Sequence, residues 1–105
     1  MNVTISIGRN VGKVPLPTVE WDSFVGAIDR LVAALVDQST DAQIVQSGFV
    51  DGYWRGDRED SYTVTVADVD PTLEEALANS LRVECIRYRQ DSIAATFYEV
   101  TLIER

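Results

Sequence analysis

"DGYWRGDRED", residues 51–60, decides how the rest of the chain is read. Six of its ten side chains are charged and two of its residues are glycine, so it reads as a long polar hairpin. The segments on either side are strand-like. Residues 42–50 carry Val45 and Phe49 on one face, with Ile44 and Val50 out of step with them. "SYTVTV", residues 61–66, alternates Tyr62, Val64 and Val66 with Thr63 and Thr65, the period of a half-buried strand.

Working outward, each strand of this central pair is flanked by a helix. Trp21, Phe24, Val25, Ile28, Leu31, Val32 and Leu35 recur on one helical face. Pro17 and Thr18 open this helix, with Thr18 predicted as its N-cap and Glu20 in its positive first turn. "QSTD", residues 38–41, ends it. Beyond the central pair, "DVDP" stops the strand, and Thr72 with Glu75 predicts a capping box. Leu73, Ala76, Leu77, Leu81, Cys85 and Tyr88 form the second apolar stripe. The outermost segments are strands again: Val3, Ile5 and Ile7 alternate with Thr4 and Ser6, and residues 92–103 predict a long final strand.

The order β-α-β-β-α-β over residues 1–105 predicts a single α+β domain of the ferredoxin-like kind, a four-stranded antiparallel sheet with both helices on one face. The uncovered face is expected to carry Thr and Ser from the first strand, Thr from the third, and Phe and Tyr from the last. A sheet open on one side suits a ligand or a second copy, so a homodimer or higher oligomer is predicted.

Composition removes several functions. There is no histidine, which eliminates the commonest general base and metal ligand, and Cys85 is the single cysteine. Cys85 sits in a helical stripe, where an inert, buried thiol is expected. Seventeen acidic against nine basic residues give a net charge of −8, which opposes direct binding to nucleic acid. No apolar run nears the roughly 18 residues of a membrane span, and the first residues lack the pattern of a secretory signal, so a cytoplasmic location is expected. The acidic pairs at residues 59–60 and 74–75 are adjacent and point apart, so neither is an acid–base couple. No catalytic residue, metal site or cofactor is expected.

Three segments are candidates for binding. "GRNVGK", residues 8–13, is neither a phosphate-cradling P-loop nor a dinucleotide fingerprint, yet Arg9, Asn10 and Lys13 lie where two glycines permit close approach; a plain solvent-exposed turn is the alternative. Trp21 follows it at the helix start. In the central hairpin, Trp54 beside Arg55 and Arg58 suits stacking on a base with a cation near its phosphates; local charge pairing is the alternative. At "RYRQDS", Gln90 and Ser92 offer short hydrogen-bonding groups, although Arg87 and Arg89 fit simple capping of a helix C-terminus.

Together these segments resemble a group of small bacteriophage proteins, notably from phages of actinobacteria. That group joins GRN-x-G, a G-x-W-x-G-x-x-E-x-S hairpin and a QDSIA strand. The matching residues are Gly8, Arg9, Asn10, Gly12 and Trp21; Gly52, Trp54, Gly56, Glu59 and Ser61; and Gln90 to Ala94. The set is similar to phage Thoeris anti-defence sponge proteins, which bind cyclic ADP-ribose-type signals, and in some cases cyclic oligonucleotides, without cleaving them. The resemblance implies a non-enzymatic protein of the host cytoplasm that sequesters a small nucleotide-type ligand. It further implies that the three segments give each bound nucleotide an aromatic ring and an arginine across an oligomer interface. The net charge of −8 opposes that implication. The alternative is an acidic interaction protein that inhibits a host nucleic-acid-binding defence protein.

Overall fold

In a computed structural model describing residues 1–105, the predicted elements form a four-stranded antiparallel sheet backed by two helices. β1 (Asn2–Gly8) buries Val3, Ile5 and Ile7 on its helix side. Two short strands, β2 (Asn10–Val11) and β3 (Val14–Pro15), turn the glycine-flanked loop into a miniature hairpin, with Gly12 at φ 61° in its turn. α1 (Thr18–Gln38) follows, then β4 (Gln43–Trp54), β5 (Asp57–Ala67), α2 (Glu74–Arg87) and β6 (Ala94–Tyr98). The sheet order is β4-β5-β1-β6, the ferredoxin-like arrangement.

The core lies between the sheet and the helices. Trp21, Phe24, Ala27, Ile28, Val32 and Leu35 of α1 meet Val3, Ile5, Ile7, Tyr62, Val64 and Val66. Leu77, Leu81 and Tyr88 bring α2 into the same cluster. The Tyr88 ring stacks on Phe24 with centroids 4.5 Å apart, and the Tyr88 and Ser23 hydroxyls are 2.6 Å apart. The Tyr62 hydroxyl donates to Asp29 Oδ1 at 2.6 Å.

Several local expectations are corrected. The central hairpin is not a long loop: both strands run into it and meet at a two-residue turn, Arg55 (φ 51°) and Gly56 (φ 85°), the left-handed pair that matches strand twist. β4 carries a bulge between Ile44 and Gln46, which explains why its residues fall out of step. Ile44 opposes Val66 and Phe49 opposes Tyr62, whereas Val50 opposes Ser61.

The last strand is five residues rather than twelve. Its partner runs out: Tyr98 already sits opposite Asn2, so Val100, Leu102 and Ile103 have no strand to join and are exposed. Tyr98 points to the uncovered face and its hydroxyl meets Thr4 Oγ1 at 3.1 Å, but Phe97 opposes Val3 and packs on the core side.

At the helix starts, Pro17 is the capping position of α1, and the Thr18 hydroxyl instead accepts from Arg9 Nη2 at 3.3 Å. No capping box forms at Thr72. Asp70 caps the 3-10 turn Pro71–Leu73 by accepting from Thr72 N–H at 3.0 Å. In the second stripe Ala76 is exposed and Glu84 takes a buried place. No helix is long and apolar enough to cross a membrane.

Candidate functional site

The uncovered sheet face is polar because of its alternation. The Ser6 and Thr63 hydroxyls lie 2.8 Å apart, and those of Thr4 and Thr65 lie 2.9 Å apart. Two glycines keep part of this face bare. A Cβ on Gly8 would collide with the Glu59 carboxylate, and one on Gly52 would collide with the Ser61 hydroxyl.

A cleft of about 430 Å³ opens over this region. Ser6, Gly8, Gly52, Ser61 and Thr63 form its floor. Asn10, Gly12 and Lys13 of the β2–β3 hairpin wall one side. Tyr53, Trp54, Arg55 and Asp57 of the β4–β5 turn wall another, and Gln90, Asp91 and Ser92 complete it. The three candidate segments, far apart in the sequence, therefore surround one cavity.

Asn10, Lys13, Trp54, Arg55, Gln90 and Ser92 line the cleft. The Trp54 indole is half exposed, and the Arg55 guanidinium carbon stands 5.5 Å from its ring centroid. Arg9, Trp21 and Arg58 do not line the cleft. Arg9 donates from Nε to Leu16 O at 2.7 Å and pairs with Asp60 at 3.2 Å, which fastens the β2–β3 hairpin to β5. Trp21 is buried, edge-on to Phe24 and Phe49. Arg58 binds Asp51 and Asp60 on the helix side of the hairpin; the hydrogen bond to Asp51 and that carboxylate's charge raise its pKa.

Glu59 is a cleft residue that the binding-site expectations omitted. Its carboxylate fills the space above Gly8 and accepts the Asn10 N–H at 2.9 Å. Its position three residues beyond the hairpin glycine was visible in the sequence, but its direction depends on β5 turning its odd residues to the uncovered face. With Asp57 and Asp91 it places three carboxylates around the cleft against the two cations Lys13 and Arg55. The wall thus has one negative charge in excess, which favours a neutral or cationic ligand over a polyanion. The described residues contain no group suited to holding a metal ion.

The Gln90 wall is tied to α2. Arg89 reverses the chain at φ 56°, Gln90 N–H donates to Cys85 O at 2.9 Å, and the Cys85 thiol donates to Gln90 O at 3.2 Å. Cys85 is half-buried, and desolvation, followed by the charge of Asp91, raises its pKa, so it stays a thiol.

No protein-family model and no curated protein sequence matches the chain. Solved structures are similar to it. One is a phage SAM lyase in complex with S-methyl-5′-thioadenosine, at 20% identity and a TM-score of 0.50, with 90% of this chain and 76% of that one covered. Another is a DUF3240 family protein from Shewanella baltica OS155, at 11% identity and a TM-score of 0.47, covering 98% and 96% of the two chains. At these identities the likeness concerns the fold alone.

Proposed function

We propose that the cleft binds a small nucleoside-type ligand, with its base against Trp54 and its sugar over the hydroxyl-lined floor. The observation that carries this reading is the meeting of Trp54, Asn10, Lys13, Gln90 and Ser92 around one cavity of about 430 Å³. A flat indole takes a base face, while Ser6, Ser61 and Thr63 match the donors and acceptors of a ribose. The phage protein of like fold, crystallised with S-methyl-5′-thioadenosine, supports the same ligand class.

The narrower form of the proposal is a phage anti-defence protein that sequesters a nucleotide-derived immune signal without cleaving it, acting as a homodimer or larger assembly. In that form Lys13 and Arg55 meet the ligand's phosphates. Exposed Ile44 and Phe49, on one face of the edge strand β4 and outside the cleft, offer apolar surface for self-association.

A second reading has its own observation. The Glu59 carboxylate reaches the cleft without a cationic partner, which suits a positively charged ligand such as an adenosyl sulfonium. In that case the protein is an enzyme that turns S-adenosylmethionine over, as the lyase of like fold does by its name.

One experiment separates the two. The protein is incubated in turn with cyclic ADP-ribose isomers, cyclic oligonucleotides, 5′-methylthioadenosine and S-adenosylmethionine, then heat-denatured, and the released ligand is analysed by mass spectrometry. Recovery of the intact ligand supports sequestration. Release of a cleaved nucleoside supports the enzyme. Failure to retain or change any of them overturns both.

A further inference from the structure

β1 extends one rung beyond the strand beside it. Arg9 N–H donates to Asp60 O at 2.9 Å, and the register sets Val3 against Val66, Ile5 against Val64 and Ile7 against Tyr62. Bonded and non-bonded rungs alternate in an antiparallel pair, so the odd residues of β1 direct their main-chain groups to β5. The even residues direct theirs to β6: Asn2 to Tyr98, Thr4 to Thr96 and Ser6 to Ala94. The next rung would join Gly8 to Ser92. β6 begins only at Ala94, and no hydrogen bond reaches Gly8 from residues 90–92. The N–H and C=O of Gly8 are left side by side, one donor next to one acceptor, at the edge of the cleft floor beside Gln90 and Ser92. Main-chain groups are rarely left without a partner unless water or a ligand supplies one.

We infer that the Gly8 main chain reads the edge of the ligand's base, and that the base is an aminopurine of the adenine kind. This rests on the nucleoside reading above. Adenine carries an amino donor beside a ring-nitrogen acceptor, the complement of the free Gly8 pair. The amino group gives one hydrogen to Gly8 O, and the ring nitrogen accepts from Gly8 N–H. Glu59 sharpens the choice. Its carboxylate lies over the same glycine, so two acceptors stand close together there. An amino group has two hydrogens to offer them, whereas a 6-oxo group has none and is repelled. Glycine at position 8 completes the arrangement, because any side chain would displace that carboxylate.

The test is a titration of the ¹⁵N-labelled full chain with adenosine, purine riboside, inosine and N6,N6-dimethyladenosine, following the Gly8 amide and the Trp54 indole N–H, with dissociation constants from calorimetry. Adenosine is expected to move both signals, the Gly8 amide downfield. The three analogues are expected to bind at least about tenfold more weakly, the size of one lost hydrogen bond to a site group left unpaired. If the Trp54 signal moves with all four nucleosides at similar affinity while Gly8 stays still, the cleft is occupied but this assignment is overturned. If neither signal moves with any of them, the nucleoside reading fails and the assignment falls with it.

Discussion

The Glu59 carboxylate occupies the space that a side chain at Gly8 would need, and the Asn10 N–H holds it there at 2.9 Å. A substitution at Gly8 therefore acts first on Glu59. Gly8→Ala pushes aside the end of a flexible side chain rather than backbone, so the fold survives with a loss of about 1 kcal/mol, the value of one hydrogen bond. Ligand retention falls further than stability does. Thermal unfolding and calorimetry on the same sample check the two separately.

Trp54 sits at the far end of an exposed hairpin and contributes nothing to the buried core. Trp54→Ala is expected to leave the melting temperature within about 2 °C, as surface substitutions do. Base stacking on an aromatic ring is worth about 1–3 kcal/mol, so nucleoside affinity should drop by about 5- to 150-fold. Fluorescence quenching of the indole in the unsubstituted protein gives an independent readout.

Arg9 and Lys13 stand four residues apart in one loop yet do different work. The Arg9 fork reaches Leu16 O, Asp60 and Thr18 at once. Arg9→Lys cannot span three oxygens with one ammonium, and it should cost about 1–3 kcal/mol in chemical denaturation. Lys13→Ala should leave stability unchanged. Its effect appears in binding: affinity falls for a phosphate-bearing ligand and stays level or rises for a cationic one.

Tyr62 predicts the alkaline limit of stability. Desolvation, then its hydrogen bond to Asp29, raises its pKa above the ordinary value of 10.0. A raised folded-state pKa supplies stability that is complete below the unfolded value and is lost as pH rises through the folded one. Unfolding free energy should therefore decline above about pH 10. Tyr62→Phe should weaken that decline while lowering stability at neutral pH. Denaturation midpoints measured from pH 8 to 11.5 check the slope.

Glu84 is buried on α2 with one oxygen, Oε2, lacking any hydrogen-bond partner. Its other oxygen pairs with Arg87, whose side chain is itself half exposed. Replacing a poorly satisfied buried carboxylate by an apolar side chain of similar reach removes the desolvation cost. Glu84→Met is expected to raise stability by about 1 kcal/mol in urea denaturation, with no change in ligand binding.

What the amino-acid order revealed depended on whether local pattern or distant partners set the outcome. β1, β5 and α1 were legible because Val3, Ile5 and Ile7, then Tyr62, Val64 and Val66, then the Trp21-to-Leu35 stripe each follow the period of a half-buried element. The central hairpin misled because its charged residues look like a loop when both faces of a strand are solvated. Its Arg55–Gly56 turn also lacks the Asn-Gly or Asp-Gly signature. Val100, Leu102 and Ile103 look like strand but have outrun β1, a limit no local window contains. At the site, Trp54, Arg55, Gln90 and Ser92 stood out as unusual connecting residues. Glu59 and the Ser6–Thr63 floor needed the register of three strands, and the role of Arg9 needed Asp60, which is 51 positions away.

The bulge in β4 comes at its second residue, between Ile44 and Gln46, so from Gln46 to Trp54 the strand keeps one parity. Phe49, which meets Trp21 and Tyr62 on the helix side, and Trp54, which lines the cleft on the other, therefore share one frame. A single residue inserted or removed between them would turn Trp54 away from the cleft, so this outer hairpin can change its length only in steps of two.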